Sequence, residues 1–340
     1  MKKLNVAVIG LGGFGERHVQ TYASYERSNL IALCDTNEDR AEEITRKYGV
    51  PKYYRNYQEM LAVSEVEAVS VATPDHLHRE IAVEAAKAGK HLLIEKPLAT
   101  NISDAAAILD AARQAGVKVM VDFHNRINPP FLATKAAVDS GEIGKPRYLY
   151  ARLSNTLDVP LKMLKWSRNS SALWFLGSHT IDLACWLLND EVKKVNAVSS
   201  SGLLTSLGVE CPDFFVATLE FKGGAIGVFE NSWILPVTQP TVKDFTFELL
   251  GDQGAIYVDA ANNRTIQKFT QDKGSFPDLF AVVRSQRGEI GFVHESIRYF
   301  VDSVLDGKPP LADSNDGLKN TEILCAILES CRTHLPVELG

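Results

Sequence analysis

Val6-Ala7-Val8-Ile9-Gly10-Leu11-Gly12-Gly13-Phe14-Gly15 is the stretch on which the fold turns. Four apolar residues in a row read as a strand buried on both faces, since a strand with one wet face would alternate. The strand runs straight into G-x-G-x-x-G, with a helix expected behind it. Gly10 permits the tight turn, Gly12 lets a ligand approach the backbone, and Gly15 lets helix and strand pack closely. The N-terminus of that helix offers unpaired N–H groups to a phosphate. Asp35 closes the second apolar run, twenty residues after Gly15, where a carboxylate can accept hydrogen bonds from both hydroxyls of a ribose. Gly-rich turns are common; the strand before, the helix after and the acid at this distance make this one a dinucleotide fingerprint.

Outward from it, Leu30–Cys34, Ala68–Ala72, His91–Ile94 and Val117–Val121 repeat the apolar run, with Ile81–Ala88 and Ala105–Ala115 carrying helical periodicity between them. Pro51 and Tyr53-Tyr54 mark a short extra strand, and Gly116 is a helix stop. Strands alternating with helices predict a doubly wound parallel sheet of the Rossmann type over residues 1–122. The pattern changes after Asp122. Pro129-Pro130 opens a helix that ends near Ser140, before Gly141 and Gly144. Tyr148–Leu153, Val192–Ser199, Phe214–Phe221, Ala225–Trp233, Phe245–Leu250 and Ala255–Val258 follow as strands, with Ile181–Leu188 helical among them. Gly turns such as Gly223-Gly224 point to antiparallel pairing. Helices near Gly291–Leu305 and Asp316–Cys331 finish the chain, so residues 123–340 are expected to form a second α/β domain.

At 340 residues the chain is long enough for two domains, and 45% hydrophobic with 23% charged residues is globular composition. A net charge of −6 argues against nucleic-acid and anionic-membrane partners, which need a basic surface. No apolar stretch is long enough to span a bilayer. Met1-Lys2-Lys3 ahead of Val6–Ile9 has the outline of a short signal peptide, but glycines and the charges Glu16 and Arg17 follow at once, so a cytoplasmic location is expected. Cys34, Cys185, Cys211, Cys325 and Cys331 are odd in number, include no C-x-x-C and sit mostly in apolar runs, so they read as buried thiols in a reducing compartment. Asp75-His76-Leu77-His78 lacks further ligands at fixed spacing, and no metal site is expected.

Glu95-Lys96-Pro97 at the end of one strand, Ala72-Thr73-Pro74 at the end of another and the N-terminal G-x-G-x-x-G together resemble the glucose–fructose oxidoreductase / inositol dehydrogenase / rhizopine-catabolism (Gfo/Idh/MocA) family. Phe123–Pro129, with Arg126, looks like that family's crossing into its second domain, Gly251-Asp252-Gln253-Gly254-Ala255 like its late hairpin, and Asp316-Gly317-Leu318 like the start of its last helix. The resemblance covers nearly the whole chain. It implies a C-terminal α/β domain with a large, mostly antiparallel sheet, and homodimers or homotetramers formed through that sheet. It also implies a nicotinamide cofactor and a sugar, glycoside or polyol substrate. Asp35, with Thr36 and Asn37 uncharged beside it, favours NAD over NADP because a carboxylate repels a 2′-phosphate; Arg40 on the next helix is the one nearby cation that bears on this.

The resemblance assigns Lys96 to the nicotinamide and the reacting carbon, where its charge would polarise the substrate oxygen. The cofactor side is then Gly10, Gly12, Gly13, Phe14, Gly15, Asp35, Thr73, Pro74, His78, Glu95, Lys96 and His124. The family's second element is an aspartate followed four residues later by a histidine. In Trp174-Phe175-Leu176-Gly177-Ser178-His179-Thr180-Ile181-Asp182 the histidine is His179, the acid–base candidate, but Phe175 stands where the aspartate is expected. Asp182 falls on the other side of the histidine and reads as a helix anchor. On the substrate side stand Lys96, Asn155, Lys162, Trp166, Phe175 and His179. Phe175, Trp166 and Trp174 could stack on a sugar face or serve as core. Retained Lys96 and His179 favour an enzyme that oxidises a ring hydroxyl or reduces the ketone. Phe175 is the feature that favours a dinucleotide-binding regulator or sensor without catalysis. An enzyme that keeps its cofactor bound and passes electrons between two substrates would need no change in these residues.

Overall fold

The computed structural model describes residues 2–261, 265–272, 274–286 and 288–340. They fall into two compact units, residues up to 124 with 281–321, and residues 125–280 with 322–340.

In the first unit β1 (Leu4–Ile9), β2 (Ser28–Cys34), β3 (Tyr53–Tyr54), β4 (Ala68–Val71), β5 (His91–Ile94) and β6 (Val119–Val121) form a six-stranded parallel sheet in the order 3-2-1-4-5-6. The reversal of strand order at β1 and β4 is the place where doubly wound sheets take ligands, beyond the carboxyl ends of the strands. On one face α4 (His78–Lys87) and α5 (Ile102–Ala115) bury Ile81, Ala85, Ile108 and Ala112 against Val69, Val71, Leu92 and Ile94. On the other, α1 (Gly13–Ser24) and α2 (Glu38–Tyr48) bury Val19, Tyr22 and Ile44 against Val6, Val8 and Leu33. The small α3 (Tyr57–Leu61) adds Met60 and Leu61 to the first of these cores. Each fully buried aliphatic side chain contributes roughly 1.5–3 kcal/mol. Asn37 and Asn101 cap α2 and α5 through their side chains, and Gly49 and Gly116 end the same helices in the left-handed region.

The second core of this unit holds a correction to the expected boundary. Ile297, Phe300 and Val301, on a helix expected in the second domain, pack with Val8, Leu33 and Met120. A sequence split at one point cannot express a chain that returns to its first unit after a long excursion.

The second unit is built on α6 (Pro129–Asp139), with its two prolines in the first turn where their missing N–H costs nothing, and on a seven-stranded sheet. Its strands are β7 (Pro146–Asn155), β8 (Val192–Ser200), β9 (Phe214–Phe221), β10 (Ile226–Ser232), β11 (Lys243–Gly251) and β12 (Ala255–Asp259), joined at one edge by a late two-residue strand, Val337–Glu338. All pairings are antiparallel except β7 with β10. The late hairpin read from Gly251–Ala255 joins β11 to β12. α7 (Ser178–Leu188) covers one face with Ile181, Leu183, Ala184 and Leu187, in a core with Leu149, Leu153, Phe229 and Trp233. α8 (Leu203–Ser206) lies in the connection to β9. α9 (Phe292–Leu305) is the helix that joins the first unit, and α10 (Ser314–Thr333) follows it. Short hairpins occur at Lys268–Phe269 with Gly274–Ser275 and at Val283–Ser285 with Gly288–Ile290. Among the described residues no helix is long and apolar enough to cross a membrane. Cys34 and Cys211 are buried, and Cys185, Cys325 and Cys331 are partly buried.

Candidate active site

The glycine turn does what its spacing demands. Gly10 has φ +89°, and a Cβ there would lie 2.7 Å from the Ala72 carbonyl oxygen; a Cβ on Gly15 would lie 1.8 Å from that of Gly10. Neither position accepts a side chain. A Cβ on Gly12 or Gly13 would meet nothing within 4 Å, so these two line open space at the start of α1, where Gly12 caps the helix without a side-chain hydrogen bond. Asp35 is held by two backbone amides: Leu11 N–H donates to Oδ2 at 2.7 Å and Asn37 N–H to Oδ1 at 2.8 Å. Each oxygen keeps a lone pair for a ribose hydroxyl. A cleft of about 230 Å³ opens beside it, walled by Thr36, Tyr57, Thr73, Pro74 and Leu77. Thr73 Oγ1 is buried there with no partner among the described residues. Arg40 is engaged elsewhere. Its Nε donates to the Leu11 carbonyl at 2.9 Å, and its terminal nitrogens pair with Glu16 at 2.5 Å and Glu43 at 2.9 Å.

Lys96, two residues after β5, is buried, and the Lys96–Pro97 bond is cis. Burial pulls its ammonium down to a pKa of about 8, against the opposing pull of Glu95, Asp75 and Asp122. Glu95, expected to face the cofactor, turns its carboxylate to His18 Nε2 at 2.9 Å. His18 Nδ1 meets Ser70 Oγ at 3.0 Å, and Tyr22 OH meets the same oxygen at 2.7 Å. Asp122 accepts from Ser296, and His18 Nε2 and His124 Nδ1 each lie 3.9 Å from it. Burial alone would raise the Asp122 carboxyl, but His124, His18 and Ser296 hold it below the usual range. His78, expected at the cofactor, is taken up by backbone: its ring nitrogens sit 2.9 Å from the Pro97 carbonyl and 3.0 Å from that of Thr73, tying the two strand ends together. The His124 ring stacks on Phe14 with centroids 6.3 Å apart and tilts against Phe292 at 5.6 Å.

In the second unit His179 lies in the first turn of α7, buried, behind a wide π-helical turn over Leu173–Gly177. Such turns are frequent at functional sites. Asn125 Nδ2 is 3.2 Å from His179 Nδ1. One turn on, Asp182 takes a bidentate pair from Arg126, at 3.0 Å to Nε and 2.6 Å to a terminal nitrogen, both side chains buried. Asp182 is thus the anchor of its helix, fixing segment 125–128 to α7. Trp174 belongs to the core. Phe175 is half-buried, its ring 6.1 Å from Trp166 and 6.0 Å from Trp233. Asn155 is buried, with Nδ2 toward the carbonyls of Ser154 and Val242 and Oδ1 without a partner among the described residues. Lys162 is largely exposed and paired with Asp158 at 2.8 Å, a surface pair within one helical turn.

Two family models match the chain: an oxidoreductase family with an NAD-binding Rossmann fold over residues 4–123, and the C-terminal domain of the same Gfo/Idh/MocA proteins over residues 131–257. The chain belongs to the Gfo/Idh/MocA oxidoreductases. It is 29% identical over 92% of its length to the myo-inositol 2-dehydrogenase of Thermotoga maritima, of which it covers 92%. It is 30% identical over 75% of its length to the levoglucosan dehydrogenase of Pseudarthrobacter phenanthrenivorans, of which it covers 73%. The crystal structure of GenD2 from gentamicin A biosynthesis in complex with NAD matches it with a TM-score of 0.86 at 26% identity, over the full chain and 97% of that one. The cofactor of this family member is NAD, and the open glycine turn, the fixed Asp35 carboxylate and the unmet Thr73 hydroxyl suit its phosphates and ribose.

Several of the groups described in the two units carry no motif. His18, Ser70 and Tyr22 form a buried polar chain, and the one sequence signal for it is a histidine in the inward stripe Gly15, His18, Val19, Tyr22 of α1. Asn125 and Asn128 are legible only once the segment after β6 is folded back onto α7.

Proposed function

We propose that the protein is a cytoplasmic NAD-dependent dehydrogenase of a ring hydroxyl in a sugar, glycoside or cyclic polyol. The observation that carries this is Lys96, a cation buried to a pKa of about 8 at the carboxyl end of a strand in the NAD-binding unit. A surface lysine has no reason to be desolvated, whereas a lysine that must act on a developing alkoxide gains from it. The dehydrogenase names of the myo-inositol and levoglucosan relatives support the substrate class. NAD, when bound, supplies the hydride acceptor. Lys96 orients and polarises the hydroxyl oxygen, His179 takes its proton, and the Phe175–Trp166 wall offers an apolar face to ring C–H groups. Asn155, through its unmet Oδ1, accepts from a further hydroxyl. A regulator that has lost catalysis is the competing reading, and it rests on Phe175 alone.

The test is incubation with NAD and a panel that includes myo-inositol, scyllo-inositol, levoglucosan, glucose and methyl glucosides, followed by NADH absorbance. Turnover of one member supports the proposal; a protein that binds NADH and turns over none supports the regulator. His179→Ala should cost about 10² to 10⁴ in rate, the range of a general base. Unchanged kcat in that variant rules out the proton role.

We also propose a homodimer or homotetramer built on the open face of the seven-stranded sheet. Tyr148, Val198, Ile226 and Tyr257 are exposed on its strands, an apolar surface that a second copy would cover. Light scattering at micromolar concentration should give at least twice 37.4 kDa, and a monomer there contradicts it.

A further inference from the structure

A histidine that takes a proton must first be in the right tautomer, and something must hold it there. Where the family carries an aspartate four residues before His179, this chain has Phe175, whose ring faces Trp166 and Trp233. An amide lies at Nδ1 of the histidine ring. Asn125 Nδ2 is 3.2 Å from His179 Nδ1, and Asn128 Nδ2 is 3.3 Å from Asn125 Oδ1, all three residues buried. Asn128 Oδ1 is buried with no partner among the described residues.

An asparagine amide keeps its shape when its oxygen and nitrogen exchange places, so the contact at Nδ1 exists in two registers. With Nδ2 toward Nδ1, the ring accepts there and carries its proton on Nε2, which then cannot take another. With Oδ1 toward Nδ1, the ring donates there and Nε2 keeps its lone pair. A protonated imidazole donates from both nitrogens, so proton uptake by His179 is compatible only with the second register. That register frees Asn125 Nδ2 to donate, and a half-turn of the Asn128 amide brings the unmet Asn128 Oδ1 to receive it.

We infer that Asn125 is a positioning residue that accepts His179 Nδ1–H through Oδ1, with Asn128 as its own acceptor, and so replaces the missing carboxylate with a neutral amide pair. This rests on the reading of His179 as the acid–base group. The bidentate Arg126–Asp182 pair pins the segment carrying both asparagines to α7. Beside that pair, one turn from His179, the charged groups on the elements packed against α7 in this unit have partners of their own: Lys135, 5.9 Å from the Trp186 ring near the far end of the helix, pairs with Asp139, Arg147 with Asp252 and Arg152 with Asp244, and Glu230 accepts from Tyr150. The Arg126–Asp182 pair is close to electrically neutral, and residue 125 is the contact at Nδ1 through which the ring's protonation can be changed.

Nitrogen-15 spectra of histidine-labelled protein test this without a substrate, with His179→Ala to assign the signal. Wild-type His179 should be the Nδ1–H tautomer at neutral pH; an Nε2–H tautomer overturns the inference. Asn125→Asp should raise the His179 titration midpoint by about one unit or more, because a carboxylate both accepts the hydrogen bond and favours the imidazolium. Asn125→Leu should lower it and shift the ring toward the Nε2–H tautomer, and Asn128→Leu should act in the same direction by less. A packing role moves neither quantity in opposite directions, and equal midpoints in wild type, Asn125→Asp and Asn125→Leu overturn the proposal. The wild-type spectrum decides even if a variant fails to fold. If His179→Ala leaves turnover unchanged while the tautomer is as stated, the proton role of His179 fails and the positioning claim stands.

Discussion

The two compact units build their sites by different means. In the first, the nucleotide half is backbone: amides of Leu11 and Asn37 grip Asp35, glycines open the start of α1, and carbonyls of Thr73 and Pro97 hold His78. Its buried side chains are linked into a saturated chain from Tyr22 through Ser70 and His18 to Glu95. In the second, His179 meets the Asn125 amide, and the Arg126–Asp182 pair lies one turn on, behind a π-helical turn and a wall of aromatic rings. A site made of backbone tolerates little variation and keeps one ligand. A site made of side chains on irregular segments can be retuned one residue at a time, as Phe175 in the aspartate's place illustrates. The first unit is therefore suited to one fixed cofactor, and the second can change residue by residue.

The largest expected effect is on the anchor of the second unit. Asp182→Ala leaves Arg126 charged and buried without its partner, and breaking such a pair costs about 3–5 kcal/mol of stability. Denaturant unfolding should show that loss, whereas Arg126→Met with Asp182→Leu together should recover most of it, since two apolar side chains of similar volume carry no desolvation penalty. A loss under about 1 kcal/mol in Asp182→Ala would mean that the segment after β6 is held by something other than this pair.

Next is Lys96. Lys96→Ala should lower kcat by at least about a hundredfold, roughly 3 kcal/mol of transition-state stabilisation, and leave NADH affinity nearly intact. The sign of its pH dependence follows from burial. The ammonium is charged below a pKa of about 8 and neutral above it, so oxidation should fall as pH rises through that value. Lys96→Arg, if active, should carry no such limb, because arginine stays charged. A flat alkaline profile in the wild type contradicts the role of the charge.

Much of the first unit is legible in sequence because its strands are buried on both faces and its turn residues are dictated by sterics at Gly10 and Gly15. The six large strands of the second unit are legible for a different reason, the alternation and glycine turns of strands with one buried face. The return of α9 to the first unit is not, because amphipathic periodicity says that Ile297, Phe300 and Val301 face a core without saying which one. Nor is the fate of Glu95 and His78. Their places in the motif are visible, but the Glu95 bond to His18 joins segments far apart in the chain, and the carbonyls that His78 meets are brought to it by the turns that follow two different strands. Asn125 and Asn128 carry no spacing signal at all.

The smallest effects sharpen the cofactor half. Asp35→Ala removes the acceptor for the ribose hydroxyls and the charge that repels a 2′-phosphate, so NADH should bind about tenfold more weakly while NADPH changes less, two lost hydrogen bonds at about 1 kcal/mol each being partly met by water. Two cations stand near that position: Arg55, which walls the same cleft and pairs with Glu38, and Arg40, whose sequence place alone would allow it to welcome a phosphate. The structure gives each of Arg40's three nitrogens a partner: Nε the Leu11 carbonyl, the terminal nitrogens Glu16 and Glu43. To reach a phosphate it would have to give up those partners, exchanging two ion pairs for one. Arg40→Ala should therefore change the ratio of NADPH to NADH affinity by less than about threefold, since partly exposed ion pairs are worth at most about 1 kcal/mol. Fluorescence titration of both reduced cofactors reads the ratio directly. A collapse of NADPH binding in Arg40→Ala would show that the side chain leaves Glu16 and Glu43 for the phosphate, and that the backbone-built half is as adaptable as the half built from side chains.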